Sequence, residues 1–144
     1  MGSMPGRVGL DKGPFRLYRK GMGRFFLAGL LLAAASLPLR AEDDAQAQTI
    51  LNNMLTAEMA KDFNAFLADA DDHLRAALSP EQFEVSANSV GTRLNGGYDL
   101  TFLGELNQTG YEVYLYRIRY KDGTDDTLVT LGMKEGKVAG ILFH

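Results

Sequence analysis

Asp69-Ala70-Asp71-Asp72-His73 is the densest run of side chains that could hold a metal ion or move a proton. A calcium loop needs a glycine and a distant glutamate at fixed positions among its oxygen ligands. Neither stands where that pattern requires it. Zinc needs further histidine or cysteine ligands. The only other histidine is the terminal His144, and the chain has no cysteine. The run therefore reads as an acidic turn capping the helix after it, and no metal site is assigned. Without cysteine there are no disulfides and no thiol nucleophile.

Other catalytic patterns are missing too. There is no G-x-S-x-G, H-E-x-x-H or phosphate-loop sequence. Asn95-Gly96-Gly97 is placed to stop a helix rather than to open one around a phosphate. His73, in an acidic stretch, does not make a serine triad. Tyrosine and a neutral aspartic acid can together hold an oxyanion in an isomerase pocket. Asp99, however, falls on the polar side of its strand. No catalytic residue and no cofactor are assigned.

Tyrosine and arginine crowd into residues 111–123, YEVYLYRIRYKDG. On a strand, side chains alternate between faces. Glu112, Tyr114, Tyr116, Ile118 and Tyr120 then share one face. Tyr111, Val113, Leu115, Arg117, Arg119 and Lys121 share the other. Three uses of these faces are open. Tyr116, Ile118 and Tyr120 can pack on helices, leaving Arg117 and Arg119 in water beside acids of neighbouring strands. Val113, Leu115, Arg117 and Arg119 can form an outer face, partly apolar and rimmed by arginine, for a homodimer. Tyr98, Tyr114 and Tyr116 can line a ligand pocket between sheet and helices.

The elements that would place these residues follow from periodicity. Ala47, Ile50, Leu51, Met54 and Leu55 make a helical stripe from about Asp44 to Met59, with Asp43 or Asp44 as cap. A short helix is expected over 61–68, then a turn from Asp69 to Asp72, then a helical turn with Leu74 and Leu78. Ser79-Pro80-Glu81-Gln82 is a capping box with proline at the first helical position. Phe83, Ala87, Val90 and Leu94 follow as one buried stripe. After Gly97 the period becomes 2, and three turns, at Asn107–Gly110, Asp122–Thr124 and Glu135–Gly136, divide four strands. Asn107-Gln108-Thr109 matches a glycosylation sequon but reads as a turn. The expected fold class is α+β, with N-terminal helices packed on a curved four-stranded antiparallel meander, cone-shaped.

At Leu78-Ser79-Pro80-Glu81-Gln82 and Gly136-Lys137-Val138-Ala139-Gly140-Ile141 the chain resembles a family of small secreted bacterial domains of unknown function. The resemblance spans roughly residues 45–143. It implies a nuclear transport factor-like (cystatin-like) α+β fold. It brings no established catalytic residues, and both matching stretches are structural.

Charge divides the chain. Residues 1–41 hold seven Lys/Arg and one acid, whereas residues 42–144 hold eight Lys/Arg and seventeen acids. From Met22 the sequence MGRFFLAGLLLAAASLPLRAEDD offers a basic start, an apolar stretch and a small residue, Ala41, before an acidic segment. That is a secretory signal pattern, and the apolar stretch falls short of the ~20 residues of a membrane span. Residues 1–21 read as an unstructured leader or a misassigned start, 22–41 as the signal and 42–144 as a single α+β domain. The expected location is periplasmic or secreted, with no stable membrane span after cleavage. So acidic a domain would repel a phosphate backbone, which argues against nucleic acid. The reading that follows is an exported, non-catalytic module binding a small ligand or an envelope protein. The alternative is a small isomerase- or hydratase-like enzyme. A buried polar pocket with a carboxylate of raised pKa would favour the enzyme; a pocket filled by Phe and Leu would favour the module.

Overall fold

A computed structural model describes residues 39–144. The leader at 1–21 and all but the end of the signal at 22–41 lie outside the described residues. Helix α1 spans Leu39–Ala60. It starts before the expected Asp44, so Asp43 and Asp44 sit within it and cap nothing. Leu39, Arg40 and Ala41 are good helix formers, and Glu42 in the first turn suits the positive end of the helix dipole.

Helix α2 is Phe63–Phe66, shorter than expected, with the Asp62 side chain accepting from the Ala65 amide. The turn expected through Asp72 ends one residue sooner. Asp71 caps helix α3, Asp72–Ala77, accepting from the Leu74 amide at 2.7 Å. The acidic run thus caps a helix, as its composition suggests. Ala70 pairs in parallel with Val138, through Asp71 N–H to the Val138 carbonyl at 2.8 Å and Val138 N–H to the Asp69 carbonyl at 2.9 Å. That bridge covers part of an edge that would otherwise offer free backbone groups.

Ser79 starts helix α4, Pro80–Ser86, through both bonds of the capping box. The helix runs on into a π-helical turn, Ala87–Gly91, and then helix α5, Thr92–Asn95. The spacing predicts one continuous α-helical stripe here; the wider turn shifts its phase, and Val90 is half-exposed while Ala87 and Leu94 are buried. Gly97, at φ +95°, takes the left-handed conformation that ends the helix.

Strands β1 (Tyr98–Gln108), β2 (Tyr111–Tyr120), β3 (Thr127–Lys134) and β4 (Lys137–Phe143) form one antiparallel sheet in the order β1-β2-β3-β4. Thr109-Gly110 and Glu135-Gly136 join strands with positive φ at both central residues, the hairpin turn whose twist matches the strands. The β2–β3 loop is longer than expected. Asp122 accepts from Thr124, and Arg93 bonds Thr124 Oγ1 and the Asp125 carbonyl while lying 3.8 Å from the centre of the Tyr120 ring. Strand β3 accordingly begins at Thr127 rather than Asp125.

The sheet is open, and its inner face meets the helices. Leu51, Met54 and Leu55 of α1 are buried with Tyr114, Tyr116 and Ile118 of β2, Val129 and Leu131 of β3 and Val138 of β4. Each fully buried large apolar side chain contributes about 1.5–3 kcal/mol, so this layer accounts for the fold without disulfides. Among the described residues, no helix is long and apolar enough to cross a membrane.

Candidate functional site

The three tyrosines expected at a pocket separate in space. Tyr114 and Tyr116 sit on the inner face of β2, both 1% exposed. Tyr98 pairs with Tyr120, at the opposite end of the β1–β2 ladder from Tyr114 and its partner Glu105. At about 3.3 Å per residue, four residues from Tyr116 to Tyr120 are roughly 13 Å. Tyr98 therefore does not share a site with the other two.

Tyr114 does line an opening, a mouth of about 220 Å³ with Asp43, Glu105, Leu106, Asn107 and Glu112. Its hydroxyl donates to Glu112 Oε2 at 3.3 Å. Burial and then the neighbouring Glu112 carboxylate push its pKa up. Tyr116 is pushed up to about 12, mainly by burial, with Asp44 adding to the effect. Burial also raises Tyr98. These hydroxyls stay protonated at neutral pH.

A carboxyl is buried elsewhere in the fold. Glu58, near the end of α1, is 1% exposed. Its Oε1 accepts from Ser86 Oγ of α4 at 2.9 Å, and its Oε2 is buried without a partner. Desolvation raises its pKa to about 7, against a smaller lowering by the Ser86 hydrogen bond. Burial in low dielectric disfavours the charged form, and one hydroxyl does not replace the lost water. Glu58 borders a pocket of about 190 Å³ whose other walls are Phe66, Leu74, Leu78, Phe83, Ser86, Ile141 and Phe143.

Each wall has a local cause. Asp62 caps α2 and so sets Phe66, whose ring lies 5.0 Å from that of Phe83. The capping box fixes the start of α4, which carries Phe83 and Ser86. Phe63 stacks on Phe83 from outside the lining, at 5.6 Å. Phenylalanine thus packs the space between helices and sheet without filling it.

Glu58 was legible in outline. It lies four residues after Met54 and seven after Leu51, on the buried stripe of α1. A carboxylate in that register is a signal; the sequence alone did not say which surface would close over it.

The outer face of β2 is unevenly exposed. Val113 is buried, Leu115 and Arg117 are half-buried and Arg119 is exposed. Arg117 and Arg119 pair with Asp126, at 3.7 and 3.6 Å. On the inner face Tyr116, Ile118 and Tyr120 are buried in the core against the helices. His73 is exposed, and no cluster of His, Cys, Asp and Glu among the described residues is arranged to hold a metal ion.

No protein-family model matches the chain, and no curated protein matches it. Among solved structures, the chain is similar to an uncharacterized cystatin fold protein from Novosphingobium aromaticivorans. The two are 11% identical, with 68% of this chain and 97% of that one covered and a TM-score of 0.37.

Proposed function

We propose that this chain is an exported, non-catalytic module of the cell envelope that binds a small ligand in the pocket at Glu58. One observation carries this reading: a buried carboxylate oxygen with no partner borders a cavity that is otherwise mostly Phe, Leu and Ile. Ligand pockets are typically apolar with a few placed polar groups, and an unpaired buried oxygen costs free energy that a ligand donor recovers. Titration with benzyl alcohol, followed by NMR shifts of the Phe66, Phe83 and Phe143 rings, tests it. Leu78→Trp, which fills the cavity, is expected to abolish those shifts. Shifts that persist in Leu78→Trp would move the ligand elsewhere. Export rests on the leader pattern; cell fractionation with N-terminal sequencing of the product tests it.

The raised pKa of Glu58 favours a second reading, a small isomerase or hydratase with Glu58 as general base. Ser86 is the other polar side chain in the lining, and it already donates to Glu58. A developing oxyanion would find no second donor among the lining side chains, which weighs for the module. Deuterium uptake by small ketones that is lost in Glu58→Gln would reverse that choice.

The proposal includes a homodimer through the outer sheet face. Gly132 and Gly140 face each other across β3 and β4, leaving a trough of about 380 Å³ bordered by Val113 and Leu142. Leu142 is 58% exposed and Leu106 46%. Knob and hole on one face are self-complementary about a two-fold axis.

A further inference from the structure

We infer that the Glu58 pocket takes a small organic ammonium ion, its N–H groups on Glu58 Oε2 and its apolar body against Phe66, Phe83 and Phe143. This rests on the reading of that pocket as the ligand site.

The geometry leaves one acceptor open. Ser86 Oγ holds Oε1, which fixes the carboxyl plane, while Oε2 stays buried and unpartnered. When ionised, this buried carboxyl needs a counter-charge, and among the described residues the cations Lys61, Arg75 and Arg93 are engaged elsewhere, Arg75 on the carbonyls of Ala68 and Ala70. Lys61 gives its Nζ to Asn88 Oδ1 at 2.6 Å. Arg93 is spent on Tyr120, Thr124 and Asp125. From α2, α3, α4 and β4 the side chains that line the pocket opposite Glu58 carry no titratable group. Among the described residues, then, no side chain supplies the cation, and a ligand can. Phenyl faces attract ammonium groups, more strongly once water is excluded. The acidic balance of residues 42–144 raises the local concentration of cations over anions. Because burial lifts Glu58 to about 7, binding of a cation releases a proton near neutral pH, and affinity rises with pH through that range.

The test compares benzylammonium, benzyl alcohol and benzoate by calorimetry at pH 6 and pH 8. Benzylammonium is expected to bind at least about tenfold more tightly than the alcohol at pH 8, the scale of a charge-assisted hydrogen bond over a neutral one. Benzoate is expected not to bind. Glu58→Gln, nearly isosteric, is expected to remove the benzylammonium preference and leave the alcohol within about threefold. Equal binding of alcohol and ammonium, unchanged by Glu58→Gln, overturns the ammonium inference and leaves the pocket reading intact. Binding of neither probe to the wild-type chain overturns both. The wild-type chain guards against misfolding of the variant: a benzylammonium affinity that does not rise from pH 6 to pH 8 also overturns the inference.

Discussion

The backbone of Gly91 lies against the carbonyl of Glu58 so closely that a Cβ at residue 91 would come within 2.9 Å of the Glu58 carbonyl carbon. Here the π-helical turn and α1 meet backbone to backbone. Five residues upstream on the same helical run, Ser86 reaches the Glu58 carboxyl. The two contacts clamp one residue from both ends, its main chain by Gly91 and its side chain by Ser86. Single π turns inside helices frequently occur at functional sites, and this one sits beside the buried acid.

Gly91→Ala is accordingly expected to destabilise the fold by about 2–3 kcal/mol, the upper range for forcing one extra carbon into packed backbone. Its φ is helical, so the cost comes from the clash and not from conformation. Urea unfolding measures it. A loss below about 0.5 kcal/mol, the level of ordinary surface changes, would mean that α1 can move away from the turn at little cost.

Glu58 sets a pH dependence of stability. Burial pushes its pKa up to about 7 in the fold, from the 4.5 of an exposed glutamate. Between those values the folded state holds a proton that the unfolded chain has lost. Stability therefore falls as pH rises from about 4.5 to 7, by up to about 3 kcal/mol. Glu58→Gln removes this slope and is expected to gain on the wild type as pH rises, most of all above pH 7. Unfolding curves at pH 5 and pH 8 give the comparison. A wild-type advantage over Gln that grows with pH has the wrong sign and defeats the assignment.

Much of the architecture was readable because it rests on local chemistry. The Ser79 capping box, the left-handed Gly97 and the two glycine-bearing hairpin turns each act over a few residues. Alternation along β2 placed Tyr116, Ile118 and Arg119 on the correct faces. What escaped depends on contacts distant in sequence. The π turn at Ala87–Gly91 answers to the backbone of α1, and neither segment shows it alone. Tyr98 shares its residue type with Tyr114 and Tyr116, but register puts it at the other end of the ladder. Glu58 stood on an apolar stripe in plain view; only α4 closing over it makes it buried.

The outer face predicts its own oligomeric state. Light scattering is expected to give a dimer at micromolar concentration, and Leu142→Lys a monomer of unchanged helix and strand content. Leu142 is largely exposed in the protomer, so its replacement should leave folding within about 0.5 kcal/mol. A wild-type monomer at that concentration ends the dimer proposal.

Ser79→Ala is expected to cost about 1 kcal/mol, the usual value of a helix N-cap. The Gln82 amide loses its Ser79 Oγ acceptor, while the bond from the residue 79 amide to Gln82 Oε1 remains open to the variant. Since α4 carries Phe83 and Ser86, binding of benzyl alcohol should weaken in parallel. Unchanged thermal stability would show that proline at the first position fixes the helix start alone.

Tyr116 and Tyr120 share the inner face of β2, yet their hydroxyls are treated differently. Tyr120 donates to Thr127 Oγ1 at 3.1 Å in a buried setting, while the Tyr116 hydroxyl is buried without a partner. Removing a satisfied donor strands its acceptor and costs about 1–2 kcal/mol; removing an unsatisfied one relieves a desolvation penalty. Tyr120→Phe should therefore destabilise and leave Thr127 Oγ1 unpaired. Tyr116→Phe should be neutral or stabilising, because its ring keeps the contact with Phe102, at 5.4 Å between centroids. Paired urea titrations decide it. A larger loss for Tyr116→Phe than for Tyr120→Phe would place an unseen partner, such as an ordered water shared with Asp44, on the Tyr116 hydroxyl.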